Sequence, residues 1–170
     1  MSRASLRSET TVEGRAVVVA PMSEHDLLEV VEIEETTGLS QWGWDAYRAE
    51  LARPEAVMLV ARRGLADASG RRLIGYIAAR ISADELHINN IGVRPDFQRQ
   101  GVGRALLCAA LDIASARGAR LAVLEVRAGN LAARAMYEGV GFKIVGERRN
   151  YYRQPVEDAL VMTTRLAPKA

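Results

Sequence analysis

Short apolar runs alternate with amphipathic segments along most of the chain, and this pattern predicts strands interleaved with helices. Runs that are rich in aliphatic residues and bounded by turn residues predict strands at 15–20, 56–62, 73–80, 85–93, 121–127, 142–147 and 160–165. Apolar residues recur at helical spacing after Ser23, which has Asp26 three residues later as in a capping box. That helix is predicted to end at Gly38.

Three further helices follow from the same kind of pattern. A short one is predicted to end near Leu51, before Pro54. A second begins around Gly101 and Gly103 and ends at Gly118. The third begins at Asn130, a typical cap residue, and ends near residue 141.

The order of these elements predicts a mixed sheet. The strands between 56 and 93 follow one another through tight turns, so they pair in antiparallel fashion. The helix between 85–93 and 121–127 makes a right-handed crossover, which places those two strands parallel. The predicted fold class is therefore α/β (α+β), with a largely antiparallel mixed sheet and helices on both of its faces.

Length and composition indicate one folded unit. The chain has 170 residues, of which 49% are hydrophobic and 26% are charged, and both fractions are near the average for globular proteins. No repeat or linker divides it, so a single domain is predicted for residues 15–170. Residues 1–14 are polar and lack periodicity, which predicts a disordered N-terminal extension.

The net charge and the apolar runs do not indicate a nucleic-acid or membrane partner. The formal net charge of +2 is too small to indicate a nucleic acid or a membrane surface. No segment has the pattern of a signal peptide, and no apolar run is long enough to span a bilayer. We therefore expect a cytoplasmic protein with no direct nucleic-acid or membrane partner.

Cysteine and histidine usage predicts that no metal is bound. Cys108 is the only cysteine, so an internal disulfide is impossible, and its place in an apolar helix favours a packing role. The two histidines, His25 and His87, lie far apart in the sequence. His87 belongs to a strand that leads toward a glycine-containing loop, where it either packs or lines a cleft.

That loop joins the strand at 85–93 to the next helix. A helix start offers free N–H groups and a partial positive charge, so a loop without Cβ atoms at Gly101 and Gly103 favours a bound phosphate. The alternative is that the glycines serve backbone shape alone. A dinucleotide fingerprint would need a third glycine at Leu106, and the Gly-Lys-Ser/Thr of a P-loop is absent.

Two polar features outside the loop stand out. Glu125 shares a strand face with Leu121 and Val123, so it either reaches water at the strand end or has a function. The segment 148–152 combines two arginines with two tyrosines, which is compatible with an RNA contact or, more simply, with a solvated turn.

The glycine loop resembles a known family. Gln98-x-x-Gly101-x-Gly103, following Ile91-Gly-Val93, resembles the acetyl-CoA-binding loop of the GNAT-type N-acetyltransferases. The chain from about 88 to 162 is similar to the bacterial ribosomal-protein-alanine N-acetyltransferases in particular, through the segments 124–130, 135–138, 141–142, 148–152 and 157–159.

This resemblance implies a set of site residues. Glu125 would be the general base, and Tyr137 would lie at the sulfur of the thioester. Acetyl-CoA, the implied co-substrate, would be held by Ile91, Gly92, Val93, Gln98, Arg99, Gln100, Gly101, Val102, Gly103, Arg104, Asn130 and Tyr137. The acceptor would be held by Trp42, Trp44, Tyr152, Glu157 and Asp158, although the tryptophans are equally suited to the core. Apart from the resemblance, Glu34 belongs to an acidic cluster with Glu32 and Glu35, which either attracts a basic peptide or is a solvated helix face.

The implied reaction is direct attack of an amine on the thioester. The acceptor would be the N-terminal alanine of a small-subunit ribosomal protein, which is expected to be basic. An N-terminal amine, with an ordinary pKa of about 7.7–8, loses its proton far more easily than a lysine at about 10.4. The alternatives are an enzyme for broader protein N-termini, lysines or a small amine, and a non-enzymatic acyl-CoA-binding module. We expect a monomer or a weak dimer.

Overall fold

A mixed β-sheet is the frame of the structure. The computed structural model describes residues 8–12, 15–38, 41–64 and 68–168. Within these ranges the strands are β1 (Ser8–Val12), β2 (Arg15–Pro21), β3 (Ala56–Arg63), β4 (Leu73–Ser82), β5 (Glu85–Val93), β6 (Leu121–Arg127), β7 (Lys143–Arg153) and β8 (Val156–Arg165). They are arranged in the order β1-β2-β3-β4-β5-β6-β8-β7. Every neighbouring pair is antiparallel except β5 and β6, which confirms the predicted fold class.

Four α-helices cover the two faces of this sheet. They are α1 (Leu27–Thr37), α2 (Gly43–Leu51), α3 (Val102–Ala116) and α4 (Leu131–Gly139). Gly38 ends α1 with a φ of 67°, in the left-handed region that glycine favours. None of the helices in the described ranges has the length and apolar character needed to cross a membrane.

Two hydrophobic clusters show which helix lies on which face. Side chains of α3 and α4 pack with Leu86, Ile88 and Leu124 on one face of the sheet. Side chains of α1 and α2 pack with Tyr76 and Ala78 of β4 on the other. Because side chains alternate along a strand, the neighbour of Leu124 in β6, Glu125, lies on the α1/α2 face.

The parallel strands β5 and β6 separate before either of them ends. They pair only from Glu85–Ile88 against Leu121–Leu124, although β5 continues to Val93 and β6 to Arg127. A bulge in the pairing of β4 with β5, between Ala78 and Ala79, coincides with the point of divergence. The sheet is therefore open between β5 and β6 beyond Ile88 and Leu124, and this opening is the splay. Glu125 is the first residue of β6 past the last position that pairs with β5.

The structure differs from the predicted disordered extension, residues 1–14, at Ser8–Val12. This segment is a strand that pairs with Arg15–Pro21. Residues 1–7 and 13–14 lie outside the described residues. The composition of the strand is polar, and its backbone pairing with β2 provides the order that hydrophobic patterning did not reveal.

The last two strands are longer than predicted. Instead of ending near residue 147 and starting again at 160, β7 and β8 form one extended hairpin that turns at Gln154 and Pro155. β7 is an edge strand exposed along most of its length, so it carries little of the hydrophobic signal by which strands are recognised.

Candidate active site

A cleft of about 590 Å³ lies where the end of β5, the start of α3 and the exposed side of α4 meet. It reaches through the splay to Thr37 at the end of α1. Its lining includes every predicted coenzyme-contacting residue except Gln100 and Val102, namely Ile91, Gly92, Val93, Gln98, Arg99, Gly101, Gly103, Arg104, Asn130 and Tyr137.

The two exceptions lie behind the loop. Gln100 and Val102 line a separate cavity of about 60 Å³, and Val102 is buried in the core. The side chains of these two residues therefore do not line the cleft, and a coenzyme contact by either of them stays a prediction. Sequence analysis also missed six residues that line it: Thr37, Phe97, Ala132, Ala133, Ala135 and Met136. The alanines could have been found, since three small residues in one short helix leave room for a ligand.

The loop before α3 is shaped to present backbone N–H groups. Gly101 has a φ of 85° and immediately precedes the helix, and the first intrahelical bond runs from the Ala105 N–H to the Gly101 carbonyl at 2.9 Å. The N–H groups of the first turn of a helix have no partner within the helix. The Gln98 side chain donates to the Val93 carbonyl at 3.0 Å, and that of Gln100 donates to the Asp96 carbonyl at 3.0 Å, so both hold the loop.

Gly103 is explained by a close approach between helices. A Cβ built on it would lie 3.1 Å from the Met136 sulfur of α4 and 3.6 Å from the side chain of Val93. The glycines therefore serve both backbone shape and an open cleft. Gly101 adopts a positive φ, and Gly103 allows the close approach of Met136. Both leave the wall of the cleft free of side chains.

Tyr137 lies in α4 and forms part of the cleft wall. Asn130 begins this helix as predicted, because its side-chain oxygen accepts the N–H of Ala133 at 3.1 Å. The tyrosine ring packs against Phe142 with 5.8 Å between ring centres. Burial raises the pKa of the Tyr137 hydroxyl, and nearby Tyr152 adds to the rise. The hydroxyl is therefore protonated at any ordinary pH and is suited to donate a hydrogen bond.

Glu125 lies on the other side of the splay, with 31% of its side chain exposed. Its Oε1 is 3.2 Å from the Nε of Arg148. Tyr152 is a neighbour of both Glu125 and Tyr137. The pKa of Tyr152 is raised to about 12 by burial and by Tyr151, and the charge of Glu125 adds to this rise. The structure thus brings together three residues that were predicted separately.

The tip of the β7–β8 hairpin is fixed to the end of β6 by Glu157. One carboxylate oxygen accepts the N–H of Gly129 at 2.6 Å, and the other accepts from Arg127 at 3.3 Å. A Cβ at residue 129 would lie 2.7 Å from that first oxygen, so any larger residue there would displace the Glu157 carboxylate. Asp158 accepts the N–H of Asn150 at 2.7 Å. Glu157 and Asp158, two of the three predicted acceptor-binding carboxylates, therefore hold the hairpin.

Glu34 is buried beneath the α1/α2 face, with only 1% of the residue exposed. Its carboxylate accepts the N–H groups of Trp42 and Gly43, at 2.7 and 3.1 Å, and the hydroxyl of Tyr47, at 2.7 Å. The structure therefore places Glu34 at the start of α2, where it holds the backbone of Trp42, another predicted acceptor-binding residue. Sequence analysis did not anticipate this contact, because it joins segments that are separate in the sequence.

The Tyr47 hydroxyl connects Glu34 to the central strands. It lies 2.8 Å from the hydroxyl of Tyr76 and accepts the side-chain amide of Asn90 at 3.0 Å. Burial is the main cause that raises the pKa values of both tyrosines. This network joins α1, α2, β4 and β5 directly under the point where the sheet splays.

A second, polar cavity of about 310 Å³ opens on the α1/α2 face. It is lined by Trp42, Arg80, Ser82, His87 and Asn89. His87 therefore lines a cleft rather than packing in the core, and it pairs in register with Val123, two residues before Glu125. Trp44, 38% exposed, is not among the lining residues of either large cavity.

Metal ligands are not grouped in the described part of the chain: no three His, Cys, Asp or Glu side chains there could hold a metal ion together. The candidate site therefore consists of a cleft of about 590 Å³ on the α3/α4 face, a polar cavity of about 310 Å³ on the α1/α2 face, and Glu125 where β5 and β6 separate.

Both the sequence and the fold of this chain are similar to those of known N-acetyltransferases. The model of the acetyltransferase (GNAT) family matches residues 27–142. The chain is 37% identical over 158 residues to the N-alpha-acetyltransferase RimI of Mycobacterium tuberculosis, covering 89% of this chain and 94% of the relative. It is 45% identical over 93 residues to the ribosomal protein bS18-alanine N-acetyltransferase of Salmonella typhimurium, covering 54% and 63%. The crystal structure of the ribosomal-protein-S18-alanine N-acetyltransferase from Escherichia coli superposes with a TM-score of 0.79 at 29% identity, covering 91% and 96%.

Proposed function

The chain belongs to the acetyltransferase (GNAT) family, and from this premise we propose that it acetylates the N-terminal alanine of a small-subunit ribosomal protein. The donor is acetyl-CoA, and the acceptor amine attacks the thioester directly. The observation that carries the proposal is the splay: β5 and β6 separate between a cleft on one face of the sheet and a polar cavity on the other, and Glu125 is the first residue of β6 past the pairing.

The coenzyme cleft fits acetyl-CoA in shape and in chemistry. The first N–H groups of α3, with Arg99 and Arg104, provide donors and positive charge for a pyrophosphate. The unpaired edge of β5 at Ile91, Gly92 and Val93 offers backbone groups to an extended amide-containing arm. A bound acetyl-CoA supplies an activated acetyl group as a thioester.

Two residues of the chain handle the protons. Glu125 accepts the proton that the α-ammonium group must lose, directly or through water, before the nitrogen bonds to the acetyl carbon. As the carbon–sulfur bond breaks, Tyr137 donates a hydrogen bond to the departing thiolate, whose basicity is that of an ordinary thiol at about 8.5. Because the pKa of the Tyr137 hydroxyl is raised by burial, stabilisation by a hydrogen bond is favoured over complete proton transfer.

An α-amine is favoured over a lysine because its ordinary pKa of about 7.7–8 lies well below that of lysine, about 10.4, so a larger fraction of it is unprotonated at neutral pH. Trp42 and the polar cavity beside it are placed to contact the residues that follow the acceptor alanine, and Tyr152 contacts them from the hairpin side. Action on a ribosomal protein would place the enzyme in the cytoplasm.

The proposal is tested by mass spectrometry of peptides incubated with the protein and acetyl-CoA. One peptide carries a free N-terminal alanine and an internal lysine, and a matched peptide has its N-terminus blocked. We expect one acetyl group on the first peptide, located at its N-terminus, and none on the second. Acetylation of the lysine in both would overturn the choice of acceptor, and coenzyme binding without transfer to any amine would favour a non-enzymatic acyl-CoA-binding module.

A further inference from the structure

Two arginines project from the face of the sheet that carries Glu125, and they are held very differently. The Arg127 guanidinium stacks on the Tyr152 ring at 4.1 Å. It also donates to the Glu157 carboxylate at 3.3 Å and to the backbone carbonyls of Gln154 and Pro155, both at 3.2 Å. Only 25% of its side chain is exposed. Arg127 is therefore a fixed part of the hairpin.

Arg148 has far fewer contacts within the described residues. Its Nε lies 3.2 Å from Glu125, and its guanidinium lies 5.8 Å from the centre of the Tyr151 ring. The side chain is 57% exposed. Such a solvent-exposed ion pair is weak, so the guanidinium can leave Glu125 at little cost. The Tyr151 ring is within the distance at which a cation and an aromatic face attract each other, and it offers the displaced arginine an alternative position.

We infer that Arg148 occupies the place of the acceptor amine at Glu125 and is displaced by it, which makes Arg148 a specificity-determining residue. This inference rests on the proposed function. The acceptor amine arrives mainly as an ammonium cation and so competes with Arg148 for the same carboxylate. The acetylated product is a neutral amide and cannot compete, so Arg148 returns to Glu125 once the carboxyl has released the amine proton to water. The ion pair thus favours release of the product.

Kinetics of three variants test the inference. Arg148→Met removes the competing cation, and we expect the KM for an N-terminal-alanine peptide to fall about two- to fivefold with kcat changed less than about twofold. Arg148→Lys restores a cation and should return KM toward the original value. Arg127→Met is the matched control: it releases the hairpin and should raise KM. A KM that rises in Arg148→Met would show that Arg148 grips the peptide and would overturn the inference.

A double-mutant comparison isolates the carboxylate. In a Glu125→Gln background there is no charge to compete for, so Arg148→Met should leave the peptide affinity, measured by calorimetry, unchanged. An equal gain in affinity with and without Glu125 would contradict displacement from this carboxylate, because it would mean that Arg148 obstructs the peptide elsewhere.

The NMR signal of the Arg148 Nε–H gives a readout that is independent of turnover. A peptide with a free N-terminal amine should shift this signal, and the same peptide in acetylated form should not. If the wild-type protein acetylates no amine, the proposed function fails, while the inference is still decided by this titration. A signal that the free-amine peptide leaves in place would overturn the inference even for an active enzyme.

Discussion

The proposed coenzyme side and the proposed acceptor side of the splayed sheet are built in different ways. Apart from Thr37, the residues that line the coenzyme cleft come from two continuous segments, 91–104 and 130–137, and much of what the cleft offers is backbone. The acceptor side combines side chains from α1, α2, β5, β6 and the β7–β8 hairpin, including Trp42, His87 and Arg148. The residues of the coenzyme side are close together in the sequence, whereas those of the acceptor side come together only when the chain folds.

This difference indicates how the two sides should respond to change. A backbone site is insensitive to the identity of most side chains but intolerant of any atom that enters the space in front of the amides. In a site made of side chains, replacing one residue removes the contact or proton transfer that this residue provides, while the rest of the protein keeps its structure.

The largest expected effect comes from the carboxylate beside the splay. Glu125→Gln keeps the shape of the side chain but removes the base, so kcat should fall roughly 10²- to 10⁴-fold. The affinity for coenzyme A should be unchanged, because Glu125 does not line the coenzyme cleft. Rates measured at saturating acetyl-CoA, together with calorimetry of coenzyme binding, check both statements.

Two further variants complete this test. Tyr137→Phe should lower kcat over the same range, since it removes the hydrogen bond to the leaving sulfur. Glu147→Gln, in an exposed position on β7, is the control and should leave kcat unchanged. Wild-type turnover in both the Glu125 and the Tyr137 variants would leave the assigned roles without support.

A smaller effect is expected when the coenzyme side is filled. Gly103→Leu places a side chain against Met136 and into the cleft. Loss of one hydrogen bond to a charged phosphate is worth about 1.5–3 kcal/mol, so the Kd for coenzyme A should rise roughly 10- to 150-fold. Calorimetry measures this change, and the melting temperature shows whether the variant is folded.

Gly139→Ala provides the matched control for a glycine substitution in a helix. A Cβ there meets no atom within 4 Å, and the residue lies at the end of α4. The substitution should leave coenzyme binding unchanged and stabilise the protein by about 0.4–1 kcal/mol through the unfolded state. Equal losses of affinity at both glycines would mean that the cleft is not the coenzyme site.

The same contrast explains which parts of the molecule the sequence could predict. The loop before α3 and the cap at Asn130 are local features, so their places were predictable from the sequence, and the family resemblance implied their contacts with the coenzyme. Glu34 was predicted to contact the acceptor because its neighbours are acidic, yet it lies buried under Trp42 and Tyr47. No local pattern encodes that pairing. Glu125 lies between these cases: its strand position was predictable, but its contact with Arg148 depends on a hairpin that was predicted too short.

The smallest effect tests the network that supports the acceptor side, through its dependence on pH. Burial raises the pKa values of Tyr47 and Tyr76 well above the ordinary value of about 10, so both stay protonated in the folded protein. Above pH 10 the unfolded chain binds fewer protons than the folded one, and the free energy of unfolding must therefore fall as pH rises.

Each such tyrosine should lower the free energy of unfolding by up to about 1.4 kcal/mol per pH unit above pH 10. Denaturant titrations between pH 9 and pH 11 measure this slope. Tyr76→Phe should make the slope shallower, whereas substitution of Tyr151, which is 47% exposed, should not. An unchanged slope in Tyr76→Phe would mean that the hydroxyl loses its proton while the protein is folded. In that case water would reach the hydrogen-bond network of Glu34, Tyr47 and Tyr76 in the folded protein. The network would then not be a rigid support for the contact by which Glu34 positions Trp42.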